Sequence, residues 1–191
     1  MRQHDQPSHV DVLIMGAGIS GIGSAYHLQS LCPGKTYTII EARNNVGGTW
    51  DLFRYPGIRS DSDMYTFGFN FKPWVSPKAI SPGEDIRTYV KEAATENGID
   101  KHIRFGHKLV AANWCSETAL WTSQLQEVET GNMSEVTSRF FFSCGGYYNY
   151  DEGYLPKFAG VESFKGTVIH PQHWPEDFDY AGKRIIVIGS G

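Results

Sequence analysis

With 191 residues, 17 basic and 21 acidic side chains and a net charge of −4, the chain has room for one good core. It carries no basic stripe, which excludes nucleic acid or an anionic membrane as the default partner. Its three cysteines, Cys32, Cys115 and Cys144, form no CxxC pattern, so a reducing, cytoplasmic setting is expected and a disulfide framework or metal site is not.

The stretch Met1 to His9 is polar and lacks an apolar signal core, and no apolar run reaches membrane-spanning length. Val10 to Met15 is short, nearly continuous and apolar, as a parallel strand buried on both faces should be. A helix is predicted over 19–31, ended by Cys32-Pro33-Gly34, and the β-branched run Tyr37 to Glu41 predicts the second strand of a β-α-β unit. From Asn44 to Pro82 the chain is rich in Gly, Pro, Ser and aromatics, with one short helical possibility over 62–69. Irregular chain of that length usually carries function.

Gly83 to Asn97 is amphipathic, with Ile86, Tyr89, Val90, Ala93 and Ala94 on one face and Asn97-Gly98 closing it. Strand-like stretches over 109–114, 119–127 and 135–143, separated by turn-forming residues, predict an antiparallel meander inserted in the parallel sheet. Phe140-Phe141-Phe142 is expected to return to the buried sheet. Lys183 to Ile188 is expected to be a buried strand, running into a glycine loop at Gly189 and Gly191.

Gly16-Ala17-Gly18-Ile19-Ser20-Gly21 places G-x-G-x-x-G between the first strand and its helix. Gly16 allows the tight turn, Gly18 allows close approach of a pyrophosphate, and Gly21 lets the helix lie on the strand. The helix N-terminus offers amides and a positive dipole, and Ser20 can add a donor. Glu41, twenty residues past Gly21, ends the second strand where a carboxylate can accept from both adenosine ribose hydroxyls, which favours FAD or NAD over NADP at this first site. Thr49, Trp50 and Leu52, after the Gly47-Gly48 pair, would present backbone amides and an aromatic face to the pyrophosphate and flavin region; a core tryptophan beside a turn is the alternative.

Gly47 to Asp61 fits the pattern [A/G]-G-x-W-x(4)-[F/Y]-P-[G/M]-x(3)-D, and Phe164 to Pro175 fits F-x-G-x-x-x-H-x-x-x-W-P. On these two fingerprints the chain resembles the type I Baeyer–Villiger monooxygenases. Trp174 favours this branch over related N- and S-oxygenating flavin monooxygenases, which usually carry another aromatic there; an enzyme of that kind and a non-catalytic FAD-binding fragment are the alternatives. Residues 48–65, 147–154 and 170–177 resemble the ethionamide-activating branch of the family.

The resemblance implies an FAD- and NADPH-dependent enzyme that inserts one oxygen atom of O2 into ketones through a flavin C4a-peroxide, with sulfur in sulfides or thioamides as a further substrate. It also implies that Asp61 is catalytic, orienting an arginine from a later segment, that Arg59 and Asp61 lie near the nicotinamide nucleotide, and that the Leu109 strand borders the FAD adenine. His170 and Trp174 would couple the FAD and NADPH domains.

Two alternatives stand beside these roles: Asp61 as a turn or helix N-cap within Ser60-Asp61-Ser62-Asp63, and His170 with His173 as zinc ligands. The expected architecture is an α/β, Rossmann-like FAD-binding domain over 1–148, an interdomain linker over 149–182, and over 183–191 the first strand and glycine loop of a truncated NADPH-binding domain. The chain is thus expected to be an N-terminal fragment, inactive alone.

Overall fold

The computed structural model describes residues 8–189. Among the described residues, ten α-helices and strands follow in order: β1 (His9–Met15), α1 (Ile19–Leu31), β2 (Tyr37–Ile40), α2 (Thr49–Leu52), α3 (Met64–Phe67), α4 (Gly83–Glu96), β3 (Ile103–Arg104), β4 (His107–Cys115), β5 (Leu120–Glu127) and β6 (Met133–Ser143). They build one six-stranded sheet in the order β3-β2-β1-β6-β5-β4. The pairs β1–β2, β2–β3 and β1–β6 are parallel, and β4–β5 and β5–β6 are antiparallel. The meander therefore continues the parallel sheet from its β1 side, with β6 as the strand that belongs to both.

β1 is buried on both faces because both are covered. Val12 and Ile14 join Ile22 and Ala25 of α1 and Ile86, Val90, Ala93 and Ala94 of α4 in the larger apolar cluster. Leu13 joins Leu125 and Val136 of the meander in a smaller one. The amphipathic reading of α4 holds: its five expected inward residues are all buried, and Gly98, at φ +65°, begins the turn after it. No helix among the described residues is long and apolar enough to cross a membrane.

Two expectations about buried chain are corrected. Phe140 and Phe142 pair in register with Val12 and Ile14 but are 62% and 42% exposed. Side chains alternate along a strand, so Phe141 packs on the meander cluster, while its neighbours face the helix side of the sheet, where α1 and α4 cover β1 and β2 and leave β6 bare. Lys183 to Gly189 forms no strand, and Ile185 to Ile188 are exposed. A strand needs a neighbour to take its amides and carbonyls, and none of the six strands pairs with this segment. Gly191 lies outside the described residues.

The irregular chain between β2 and α4 is tied down at defined points. Gly47 donates its amide to Ala17 O at 3.0 Å, Ser60 to Ser81 O at 2.9 Å and Met64 to Ala79 O at 2.7 Å. A ladder of stacked rings, Tyr26 on Phe71, Phe71 on Phe69 and Phe69 on Tyr89, fastens the loop against α1 and α4.

Candidate functional site

The turn from β1 into α1 is bare backbone at close quarters. Gly16 adopts φ +100° and donates to Ile40 O at 2.8 Å. A Cβ on Gly21 would sit 1.9 Å from Gly16 O, so only glycine lets α1 pack on the turn. Gly18 caps α1 with no side-chain hydrogen bond. It faces Gly48 so closely that a Cβ on Gly48 would stand 2.9 Å from Gly18 Cα. Two chain segments thus oppose each other across a cradle that side chains would fill. The residues fit a pyrophosphate, which needs close backbone approach and the amide-rich end of a helix. Ser20 is exposed on the first turn of α1.

Glu41, one residue past β2, is buried, and its carboxylate accepts from the amides of Ala17 at 2.8 Å and Arg43 at 2.9 Å. One acid therefore locks the glycine loop to the end of β2. His107 donates its amide to Glu41 O at 3.0 Å, which brings the start of β4 to the same place. Leu109, two residues on, pairs with Leu125 just before a register shift and packs its side chain on the meander cluster.

α2 opens on Gly48, at φ +56°. The amides of Trp50 and Leu52 are used inside the turn, donating to Gly47 O and Gly48 O, and Leu52 is buried. Of the three residues expected to present amides, Thr49 and Trp50 line the neighbouring cavity and Leu52 does not. Trp50 also packs edge-on against Phe67.

That cavity, about 830 Å³, is where the two fingerprints meet: Trp50, Arg59 and Asp61 line it from the first, and His170, Pro171 and Gln172 from the second. The chain between them supplies Tyr148 and Glu152. The hydrogen bond with Tyr147, then burial and the charges of Tyr147, Tyr55 and Asp61, push the Tyr148 phenol up to about 12. Burial likewise raises Tyr150 beside Thr49.

The N-cap alternative for Asp61 is resolved by its neighbour. Asp63 caps α3, accepting from the Thr66 amide at 2.9 Å, and that bond holds its carboxyl below the usual range. Asp61 is exposed, faces the cavity and has no hydrogen-bond partner among the described residues. Arg59 pairs its backbone with Pro82 and is likewise exposed.

His170 and His173 stand 6.2 Å apart, ring to ring, and His170 Nδ1 instead accepts from the Gln172 amide at 3.2 Å. Gln172, buried, donates from Nε2 to Asn149 O at 2.8 Å, fastening the second fingerprint to the linker tyrosines. The His170 ring lies over Gly153, where a Cβ would fall 2.1 Å from it. Trp174 packs away from the cavity, edge-on to Phe178 and Tyr180. Gly189 is exposed and apart from the lining.

Sequence reasoning missed Asp51. Its side chain is fully buried and takes Arg43 Nε and Nη2 at 3.0 and 2.9 Å, Arg54 Nη2 at 2.7 Å and Arg87 Nη1 at 3.6 Å. The signal available was an acid inside an otherwise aromatic and glycine-rich run, with an arginine three residues on.

A model of the flavin-binding monooxygenase-like family matches residues 68–191, and one of an NAD(P)-binding Rossmann-like domain matches residues 14–77. The FAD-containing monooxygenase EthA of Mycolicibacterium smegmatis is 58% identical over 183 residues, covering 96% of this chain and 37% of that protein. A solved structure of a steroid monooxygenase bound to NADP is similar at a TM-score of 0.80 and 30% identity, over 96% of this chain and 34% of that one. The structure of OTEMO in complex with FAD and NADP is similar at a TM-score of 0.72 and 31% identity, over 90% and 32% of the two chains. The chain thus spans about a third of the length of the proteins it matches.

Proposed function

Because the chain belongs to the flavin-binding monooxygenase-like family, we propose that it forms the FAD-binding part of an NADPH-dependent monooxygenase. The reaction we assign is insertion of one oxygen atom of O2 beside a ketone carbonyl, the Baeyer–Villiger oxidation, with sulfur in sulfides or thioamides as a second class of substrate. The observation that carries this reading is the meeting of both fingerprints, more than a hundred residues apart in sequence, on one cavity beside the glycine cradle.

Bound FAD supplies electron storage and O2 activation, and the chain supplies binding, orientation and charge. The cradle of Gly16, Gly18, Gly21 and Gly48 takes the pyrophosphate, with Thr49 and Ser20 as added donors. The free lone pairs of Glu41 take the adenosine ribose hydroxyls, and the strand at Leu109 borders the adenine. Leu52 acts indirectly, by packing under α2. Trp50 forms a wall of the cavity.

Asp61 lines the cavity and has no hydrogen-bond partner among the described residues, which suits a carboxylate that orients an arginine supplied from outside this chain. Arg59, which lines the cavity, would face a bound nicotinamide nucleotide, whose pyrophosphate loop we assign to Gly189 and Gly191. Residues 1–148 then constitute the FAD-binding unit, 149–182 the connection and 183–191 the beginning of the nucleotide-binding unit. The three free cysteines suit a reducing cytoplasm.

The test is product analysis with the protein that carries this chain, supplied with FAD, NADPH, O2 and either a ketone or a sulfide. Ester or lactone formation coupled to NADPH oxidation is the expected result. Sulfoxide without ester would place the protein on the N- and S-oxygenating branch, and no oxygenated product from either would overturn the reading. The 191-residue chain alone is expected to form neither product.

A further inference from the structure

We propose that Asp51 is the positioning residue that sets FAD affinity, by holding the Gly47-Gly48 turn in register with the glycine loop. The inference rests on the assignment of the cradle to FAD. α2 is four residues long, too short to be stable by itself. The turn before it contains two glycines at positive φ, +136° and +56°, the residues that lose most conformational freedom on ordering. Local propensity therefore does not hold this side of the cradle in place.

Asp51 does so through a continuous polar path. The Ala17 amide donates to Glu41, Glu41 accepts also from the Arg43 amide, and the Arg43 guanidinium forks onto the Asp51 carboxylate. Three segments that face the proposed cofactor, the glycine loop, the end of β2 and α2, are thereby joined through two buried carboxylates. Arg54 extends the path toward the chain leading to Asp61, donating to Asp51 O at 3.0 Å as well as to its side chain. Arg87 anchors it to α4, and a Cβ on Gly47 would stand 3.1 Å from Asp51 Cβ and 3.3 Å from Arg87 Cγ. A buried carboxylate shared by three guanidinium groups is an arrangement in which losing the acid leaves several charges unmatched.

The experiment uses the protein that carries this chain, stripped of flavin and titrated with FAD, with each apoprotein's melting point recorded alongside. Asp51→Asn keeps the shape and removes the charge. It is expected to weaken FAD binding by about tenfold or more and to shift the visible absorption of bound flavin, because Trp50 moves with α2. Arg43→Lys keeps the charge and loses the fork; it is expected to follow Asp51→Asn in direction, and it decides the matter if Asp51→Asn does not fold.

A purely structural clamp would lower the apoprotein's melting point and leave the FAD affinity and spectrum of the folded protein unchanged, and that result overturns the proposal. Unchanged affinity in Arg43→Lys with an unfolded Asp51→Asn does the same. If the unsubstituted protein binds no FAD, the cofactor reading fails and this inference with it; if it binds FAD and both variants match it, only this inference fails.

Discussion

The two fingerprints are presented by very different structure. The first grows out of a β-α-β unit whose strands are buried on both faces and whose turn is cross-bonded through Glu41 and Asp51. The second lies on chain without strands, between exposed tyrosines at 147 and 154 and exposed isoleucines at 185 and 186. The first half of the cavity is fixed by hydrogen bonds and packing among the glycine loop, the end of β2, α2 and α4, and among the described residues the second half is pinned chiefly by Gln172 on Asn149 and His170 over Gly153. Among the described residues, a cross-bonded cradle thus stands beside a wall held at fewer points.

The sharpest way to break this contrast is to add one methyl group to each half. In Gly21→Ala the new Cβ meets the backbone oxygen of Gly16 at 1.9 Å, which cannot move without opening the β1–α1 turn. A loss of more than about 3 kcal/mol in folding stability, with loss of flavin, is expected in chemical denaturation. In Gly153→Ala the three atoms nearest the new Cβ all belong to the His170 ring, a side chain that can rotate away. Stability should then fall by about 1 kcal/mol or less, with oxygenation changed through the displaced imidazole. Equal destabilisation by the two substitutions would erase the distinction.

A smaller effect is expected at the rim of the rigid half. The Asp11 carboxylate accepts from the Thr36 amide at 2.9 Å and hydroxyl at 3.0 Å, with Lys35 at 3.2 Å. These bonds, the Thr36 amide first, lower its pKa from 3.8 to about 2. Because the folded-state value is depressed, the tie contributes fully above pH 3.8 and fades as pH falls toward 2. Denaturant unfolding at pH 7, 4 and 3 should show Asp11→Asn less acid-sensitive than the unsubstituted protein. An identical pH dependence would mean that the tie between β1 and the turn before β2 adds nothing.

Local pattern made the rigid half legible. Continuous apolar runs, the glycine spacing and the 3.6-residue period of α4 are properties of short stretches, and the structure places β1, α1, β2 and α4 within a residue or so of expectation. The failures are tertiary. Whether Phe140 and Phe142 are covered depends on where α1 ends up across the sheet, and whether Lys183 to Ile188 pairs depends on a neighbouring strand. Asp51 escaped notice because its partners come from the segment after β2, the chain beyond α2 and α4. Asp61 was visible as a motif position, but the residue that relieves it of a capping role, Asp63, could be identified only from geometry.

The most direct test of a binding cradle beside a reacting cavity is to measure flavin occupancy and ester formation per bound flavin for Glu41→Ala and Asp61→Ala in the protein that carries this chain. Glu41→Ala unpairs two amides, each worth about 1–3 kcal/mol when buried. It should lose flavin while turning over normally per flavin retained. Asp61→Ala, at an exposed position without a hydrogen-bond partner among the described residues, should keep its flavin and lose about 10²–10³ in rate per flavin. Full turnover in Asp61→Ala, or loss of flavin from both variants alike, would contradict the division of labour between the cradle and the cavity.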